Sequence, residues 1–451
     1  MVAHQNIVVA RQNIVLAFVA YVFTFDTTIQ TLMAQTKQDS AYDVLKIPDF
    51  RNYLLARALI TFGINILGTT VGWQVYEITQ DPFSLGLIGL AEFLPFLVVT
   101  LIGGYVADIF DRRTIMFTCV VLYAICAAGL YLLTHRYPQV FEWYGALPIF
   151  IIIGLTGLIR GFLSPAQTAF AAQLIPPQLY TNAATWNTMT WHLSSIGGPA
   201  VGGLLCAFSK NAWPSYAFTA VLASMGLWFI LRIASKHVAK AEGEPTLPRE
   251  GFLASVRTGL RFVFNNQVVL SSLALDMFAV LFGGAVALLP AFAKDVLDVG
   301  PEGFGALRAA PAVGAFIMAW VLAYRPPREN AGRWLLVAVA GYGICTILFA
   351  VSRSFWFSLL MLAGTGFFDN ISMVIRSTIV QLFTPNEMRG RVSAVNSLFV
   401  GSSNELGAFE SGLAAKLLGI VPSVIFGGSM TMLVVGVTWW KAPKLRDLDL
   451  S

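Results

Sequence analysis

Ten ionisable side chains fall inside long apolar runs of this 451-residue chain. The acids are Glu92, Asp276, Asp369, Glu405 and Glu410, and the bases are Arg57, Arg160, Arg308, Arg376 and His192. A charge within a bilayer is costly, so such residues face a protein interior or a water-filled cavity and mark proton or substrate pathways. The near balance of sign points to pairing in a shared interior. By position along their runs, Glu92, Arg160, His192, Asp369 and Glu405 fall near mid-membrane, and Arg376 lies somewhat deeper toward one side. Glu405, Asp369 and Glu92 are candidates for taking up and releasing a proton. Arg160 and Arg376 are candidates for holding an anionic substrate group, with His192 and Trp191 as further cavity candidates. Trp186 and Phe368 join them by depth alone. For each residue a structural salt bridge is the competing role. Arg57 and Asp276 sit near span ends, where snorkelling or a static pair is expected. Arg308 and Glu410 fall toward the opposite ends and are expected to reach water. Asp369 and Arg376, seven residues apart, share a helix face about two turns apart and are not expected to pair.

Other chemistries lack their residues. No G-x-x-x-x-G-K-[ST] loop is present for nucleotide hydrolysis, and no H-E-x-x-H or His/Cys cluster for a metal. The histidines are His4, His135, His192 and His237, and no G-x-S-x-G elbow accompanies them. Cys119, Cys126, Cys206 and Cys345 lie in apolar runs without C-x-x-C spacing, so they read as small core residues. Neither enzyme activity, a cofactor nor a metal is expected.

The elements that must position these groups are membrane helices. Hydrophobic residues make up 57% of the chain and charged ones 12%, about half the charged share of soluble domains. Twelve apolar segments approach the ~20 residues that cross a bilayer. They lie at 53–76, 83–107, 114–134, 147–172, 181–206, 214–234, 268–292, 303–324, 334–351, 355–381, 392–415 and 423–440. Placing the start of the first span in the cytoplasm puts 20 of the 29 lysines and arginines on that side. Lys and Arg are retained there, so both termini are expected inside. Residues 1–41 read as an N-terminal extension of uncertain order, and 441–451 as a cytoplasmic tail. Segment 235–267 divides the spans into halves at 42–234 and 268–440. It begins as a charged, proline-containing linker. It ends with Phe252, Leu253, Val256, Leu260, Val263 and Phe264 at helical spacing, the pattern of a helix on the inner membrane surface. The halves echo each other: Gln173-Leu-Ile-Pro-Pro177 matches Gln381-Leu-Phe-Thr-Pro385, and Asn187 and Gly198 fall opposite Asn396 and Gly407.

Two stretches carry recognisable patterns. Gly103–Arg113 joins spans 2 and 3 and ends in Asp108-Ile-Phe-Asp111-Arg112-Arg113. It resembles the corresponding loop of the major facilitator superfamily, G-x-x-x-D-[RK]-x-G-[RK]-[RK]. Gly104, Asp108, Arg112 and Arg113 match, while Ile109 replaces a basic residue and Asp111 a glycine. In span 5, Gly198-Pro199-Ala-Val-Gly202-Gly203 is similar to the antiporter motif of proton-coupled exporters, with Ser194 where a glycine is usual. The proline removes a helix hydrogen bond and the glycines remove bulk. The second-half counterparts, Tyr324–Arg333 and Gly407–Gly412, have lost these patterns. Gln381–Ser397, with Pro385, Arg389-Gly-Arg391 and Asn396, also resembles the branch of drug:proton antiporters and enterobactin (siderophore) exporters.

This resemblance, over residues 42–445, implies an all-α polytopic fold of twelve helices in two parallel six-helix halves around a central site. It implies proton-driven export of a small amphipathic molecule, a siderophore or a drug, by a monomer in a bacterial cytoplasmic membrane. Substrate, protons and membrane lipids are the partners implied, and nucleic acid is not. Asp108, Arg112 and Arg113 would lock the outward-open state from the inner side through charge contacts, rather than bind substrate. The alternatives are a lipid or lysophospholipid flippase of the same fold, and a transporter-like sensor that moves nothing.

Overall fold

A computed structural model describes residues 42–234, 252–324, 329–385 and 388–449. The expected 1–41 extension and the first part of the linker lie outside these residues. Among the described residues the chain is helical and without strands, as a bilayer requires when every backbone polar group must be satisfied within its own segment. Twelve long helices follow the expected spans, most reaching a few residues further at their ends: α1 (Pro48–Thr79), α2 (Pro82–Ile109), α3 (Arg112–His135), α4 (Leu147–Leu174), α5 (Tyr180–Ser209), α6 (Trp213–Leu231), α7 (Gln267–Val296), α8 (Pro301–Tyr324), α9 (Ala331–Val351), α10 (Phe355–Phe383), α11 (Arg389–Leu418) and α12 (Ile420–Lys441).

Side chains set several of the starts. Asp81 caps α2 by accepting from the Phe83 amide at 3.1 Å, with Pro82 in the first helical position. Asp111 accepts from Thr114 N at 3.0 Å and opens α3. Asn266 accepts from Val268 N and Val269 N and opens α7.

One core cluster joins helices α1 to α6 and another joins helices of the second half. Glycines allow the close packing: Gly161 on α4 faces Val99 and Thr100 of α2, and Gly343 on α9 faces Gly428 and Thr431 of α12. The helix Phe252–Asn265 precedes α7 and is not one of the twelve spans. It packs on the start of α11, where a Cβ at Gly259 would lie 2.9 Å from the Arg391 carbonyl. Val263 is buried there and Phe264 is exposed.

Ten helices are long and apolar enough to cross a membrane on composition alone; α5 and α11 fall short. The reason is visible along them. In the halves nearer the Gly103–Arg113 loop, α5 exposes Thr181, Thr185 and Thr188, and α11 exposes Ser393, Ser397 and Asn404. Polar faces at membrane depth line water-filled space rather than lipid. The molecule is therefore open toward the end carrying that loop, here the motif end.

The far end is closed. Gly203 of α5 meets Gly305 of α8, where an added Cβ would lie 2.9 Å from the Gly305 Cα. Gly412 of α11 meets Gly86 of α2 in the same way, at 2.8 Å. Trp73 stacks on Phe304 at 5.7 Å, Tyr76 bonds to Asp295, and Lys416 lies 3.6 Å from Asp81. Each of these contacts joins the two halves.

Candidate functional site

Below the closed far end lies a cavity of about 310 Å³, lined by α1, α2, α3, α4, α7, α8 and α11. Its walls follow from local sequence. Prolines sit inside α2, α4 and α8 at Pro95, Pro165 and Pro311, where each removes a backbone hydrogen bond. Helix α7 is interrupted at Gly283-Gly284 and continues as short turns around Pro290; Ala287 and Pro290 of that broken stretch line the cavity. Broken helices at membrane depth are tolerated where they border such a site.

Four charges line the cavity: Glu92, Arg160, Arg308 and Glu405. Arg160 on α4 places one guanidinium nitrogen 2.9 Å from Glu92 of α2 and another 3.2 Å from Glu405 of α11. The first pair lies within the first half, and the second crosses between the halves. Phe96 stacks below the same guanidinium at 4.5 Å, a favourable cation–π position. All three charged partners are partly open to the cavity. The glycines that let the acids approach are local: Gly157 on α4 abuts the Glu92 backbone, and Gly89 on α2 abuts Glu405.

Of the groups expected from the sequence, Glu92, Glu405 and Arg160 thus meet. Arg376 does not join them. It is buried within the second half and pairs with Asp276 of α7, so its charge is neutralised away from the cavity lining. Asp276 is accordingly a buried static partner rather than a snorkelling one. Asp369 is exposed and borders a small cleft with Asp276, Tyr342 and Ser372; it is not among the residues lining the main cavity. His192 is 5% exposed, between the rings of Trp191 and Phe316, and its Nδ1 has no hydrogen-bond partner among the described residues. It sits where α5 meets α8, and Trp191 beside it is half-exposed.

Counting along α8 puts Arg308 toward the far end of that helix, in reach of water there. The closed far end covers that level, and Arg308 lines the cavity beside Gly68. Distance along one helix carries no information about what caps it.

The loop motif ties helix ends within the first half. Arg112 donates to the Ala107 carbonyl at 3.1 Å and to the Ala169 carbonyl of α4 at 3.2 Å. Arg113 donates to Ile230 O at 3.2 Å and Leu231 O at 2.7 Å, closing the end of α6. Cations at helix C-termini meet unsatisfied carbonyls and the negative dipole end. Gly104 stands near the end of α2 with open space around it; the Asp108 side chain lies outside the described atoms. In α5, Gly198 meets Asn65 and the Phe62 carbonyl of α1, and Gly202 meets Ile66 and Thr70. Gly203, at the end of the same motif, makes the cross-half contact with Gly305. Pro199 is buried between them. Among the described residues no three His, Cys, Asp or Glu side chains gather as a metal site would require.

Twelve membrane helices in two packed halves, with a charged cavity at the seam, are the architecture of a transporter of the major facilitator type. The model of the transmembrane secretion effector family matches residues 39–450, and the chain belongs to that family of the superfamily. Its curated relatives include the enterobactin exporter EntS of Shigella dysenteriae serotype 1, 25% identical over 394 residues, spanning 86% of this chain and 90% of the relative. The enterobactin exporter EntS of Escherichia coli (strain ED1a) matches over the same shares at 25% identity. Among solved structures, a D-xylose–proton symporter superposes with a TM-score of 0.68 at 14% identity, covering 89% of this chain and 99% of its own. A bacterial homologue of the human lysosomal transporter Spinster does so with a TM-score of 0.63 at 16% identity, covering 88% and 96%. These structural likenesses concern the fold.

Proposed function

We propose that the protein is a proton-coupled exporter of a small amphipathic molecule, working by alternating access from a bacterial cytoplasmic membrane. The observation that carries this reading is the Glu92–Arg160–Glu405 cluster, which joins the two halves inside a cavity closed at one end. The lysine and arginine bias assigns the motif end to the cytoplasm. The described conformation is then loaded from inside, with the far end shut by Gly203–Gly305, Gly86–Gly412 and Lys416–Asp81.

In this reading Glu405 is the switch. As a carboxylate it holds Arg160 across the seam. A proton on it removes the charge that Arg160 faces, and the halves are released to rock about the cavity. Arg160 keeps Glu92 as its partner within the first half, so its own charge is never left bare. Arg112 and Arg113 keep the ends of α4 and α6 fixed to α3 while the first half moves as a body. Export of a siderophore is supported by the relatives described as enterobactin exporters.

The test is accumulation in inside-out vesicles energised by a proton gradient, with a catecholate siderophore and a fluorescent amphipathic drug offered in parallel. Accumulation of one of them, abolished by a protonophore, is expected. Accumulation that survives collapse of the gradient would contradict proton coupling and favour a flippase.

A further inference from the structure

The two acids and two arginines of the cavity balance in charge, but their hydrogen bonds are shared unevenly. Glu92 and Glu405 are both engaged by Arg160. Arg308 lines the same space and feels the charges of Glu92 and Glu405, but among the described residues no direct hydrogen bond or ion pair takes its N–H donors. A guanidinium carries five N–H donors in a planar fork and keeps its charge at any physiological pH. The nearby acids offset its charge, but its donors are left without acceptors, and buried polar groups without hydrogen bonds call for an explanation. A second donor faces the same cavity: Tyr123 is buried, and its hydroxyl has no hydrogen-bond partner among the described residues. Beside Arg308, Gly68 contributes no side chain, and a Cβ there would come within 3.7 Å of the guanidinium.

We propose that Arg308 is the specificity-determining residue of the cavity, and that it selects a compact anionic group, such as a carboxylate, on the exported molecule. The inference rests on the transporter reading and narrows it: the substrate is an anionic amphipath rather than a lipophilic cation. A carboxylate takes the guanidinium fork through two parallel hydrogen bonds. The Tyr123 hydroxyl is available for a further polar group on the same molecule, and the apolar walls, among them Ile64, Leu67 and Ile153, take its body. Arg160 makes the direct bonds to the acids, so substrate recognition and the cross-half bridge use different arginines.

The test is equilibrium binding to the full chain in lipid nanodiscs, without any gradient. The probes are 2,3-dihydroxybenzoate and its neutral primary amide, which share a ring and differ in charge. Wild type is expected to bind the acid at least tenfold more tightly than the amide. Arg308→Gln should lose that preference while keeping amide affinity within about twofold, and Arg308→Lys should recover part of it. Gly68→Val, which fills the space beside the guanidinium without touching its charge, should weaken both probes. A wild type without preference for the acid, or an Arg308→Gln protein that keeps it, would overturn the proposal. Because binding needs no proton flow, loss of proton coupling in the vesicle assay leaves this result standing, and the reverse holds as well.

Discussion

Arg160 and Glu405 come from opposite halves of the molecule, and their side chains meet 3.2 Å apart inside the central cavity. Glu92, on the other side of the same guanidinium, belongs to Arg160's own half. This asymmetry separates the two acids. Glu405→Gln should abolish gradient-driven transport while leaving the folded protein intact. Glu92→Gln removes no cross-half contact and should slow transport while proton dependence persists. Transport rates with and without a protonophore, measured for both variants in the same vesicles, check the difference.

The buried pair between Arg376 and Asp276 predicts a stability effect. Removing one partner of a buried ion pair costs about 3–5 kcal/mol, because the other charge is left unpaired. Asp276→Asn and Arg376→Gln should each lower the unfolding temperature in detergent, and the double variant should lose less than the sum of the two. If the single variants unfold at the wild-type temperature, the pair does not hold α7 to α10.

The far-end contacts predict a conformational bias. Gly203→Val would push against Gly305, and Gly412→Val against Gly86, both at backbone. Each should disfavour the closed far end and raise labelling of an exposed cysteine introduced there. The four native cysteines are buried, so labelling reports the introduced site.

Arg113 closes the end of α6 through two carbonyls. Hydrogen bonds from a charged donor contribute about 1.5–3 kcal/mol, less at this partly exposed site. Arg113→Ala should increase hydrogen exchange at the last turn of α6, around Ile230 and Leu231. Lysine at the same position should restore protection in part, since it offers a cation without the planar fork.

The sequence alone was a good guide where a local physical rule decided the outcome. Span limits came within a few residues, because apolar length and proline or acid starts are local. The glycines of α5 announced close packing, and Gly198 and Gly202 do press on α1. Depth alone also placed Glu92, Arg160 and Glu405 at one level. It could not reveal which of the mid-membrane charges share a cavity, since that depends on helix rotation and on the neighbour across the seam. Arg376 and Arg160 read alike in sequence as candidates for an anionic group; one pairs inside its own half and the other bridges the seam. The surroundings of Arg308 are set by α1, a helix more than two hundred residues earlier, which counting along α8 does not show. The polar faces of α5 and α11, which weaken them as spans, were the missed signal for the open cleft.

The central claim is that protonation of Glu405 releases a bridge holding the two halves. It is tested most directly by the distance between spin labels at Arg136→Cys and Arg353→Cys, exposed positions in the far-end loops of the two halves, measured as a function of pH. The account predicts a short distance at neutral pH and a longer one on acidification, with Glu405→Gln showing the longer distance at every pH. A distance that does not respond to pH, or a Glu405→Gln protein that follows the wild-type curve, would contradict it.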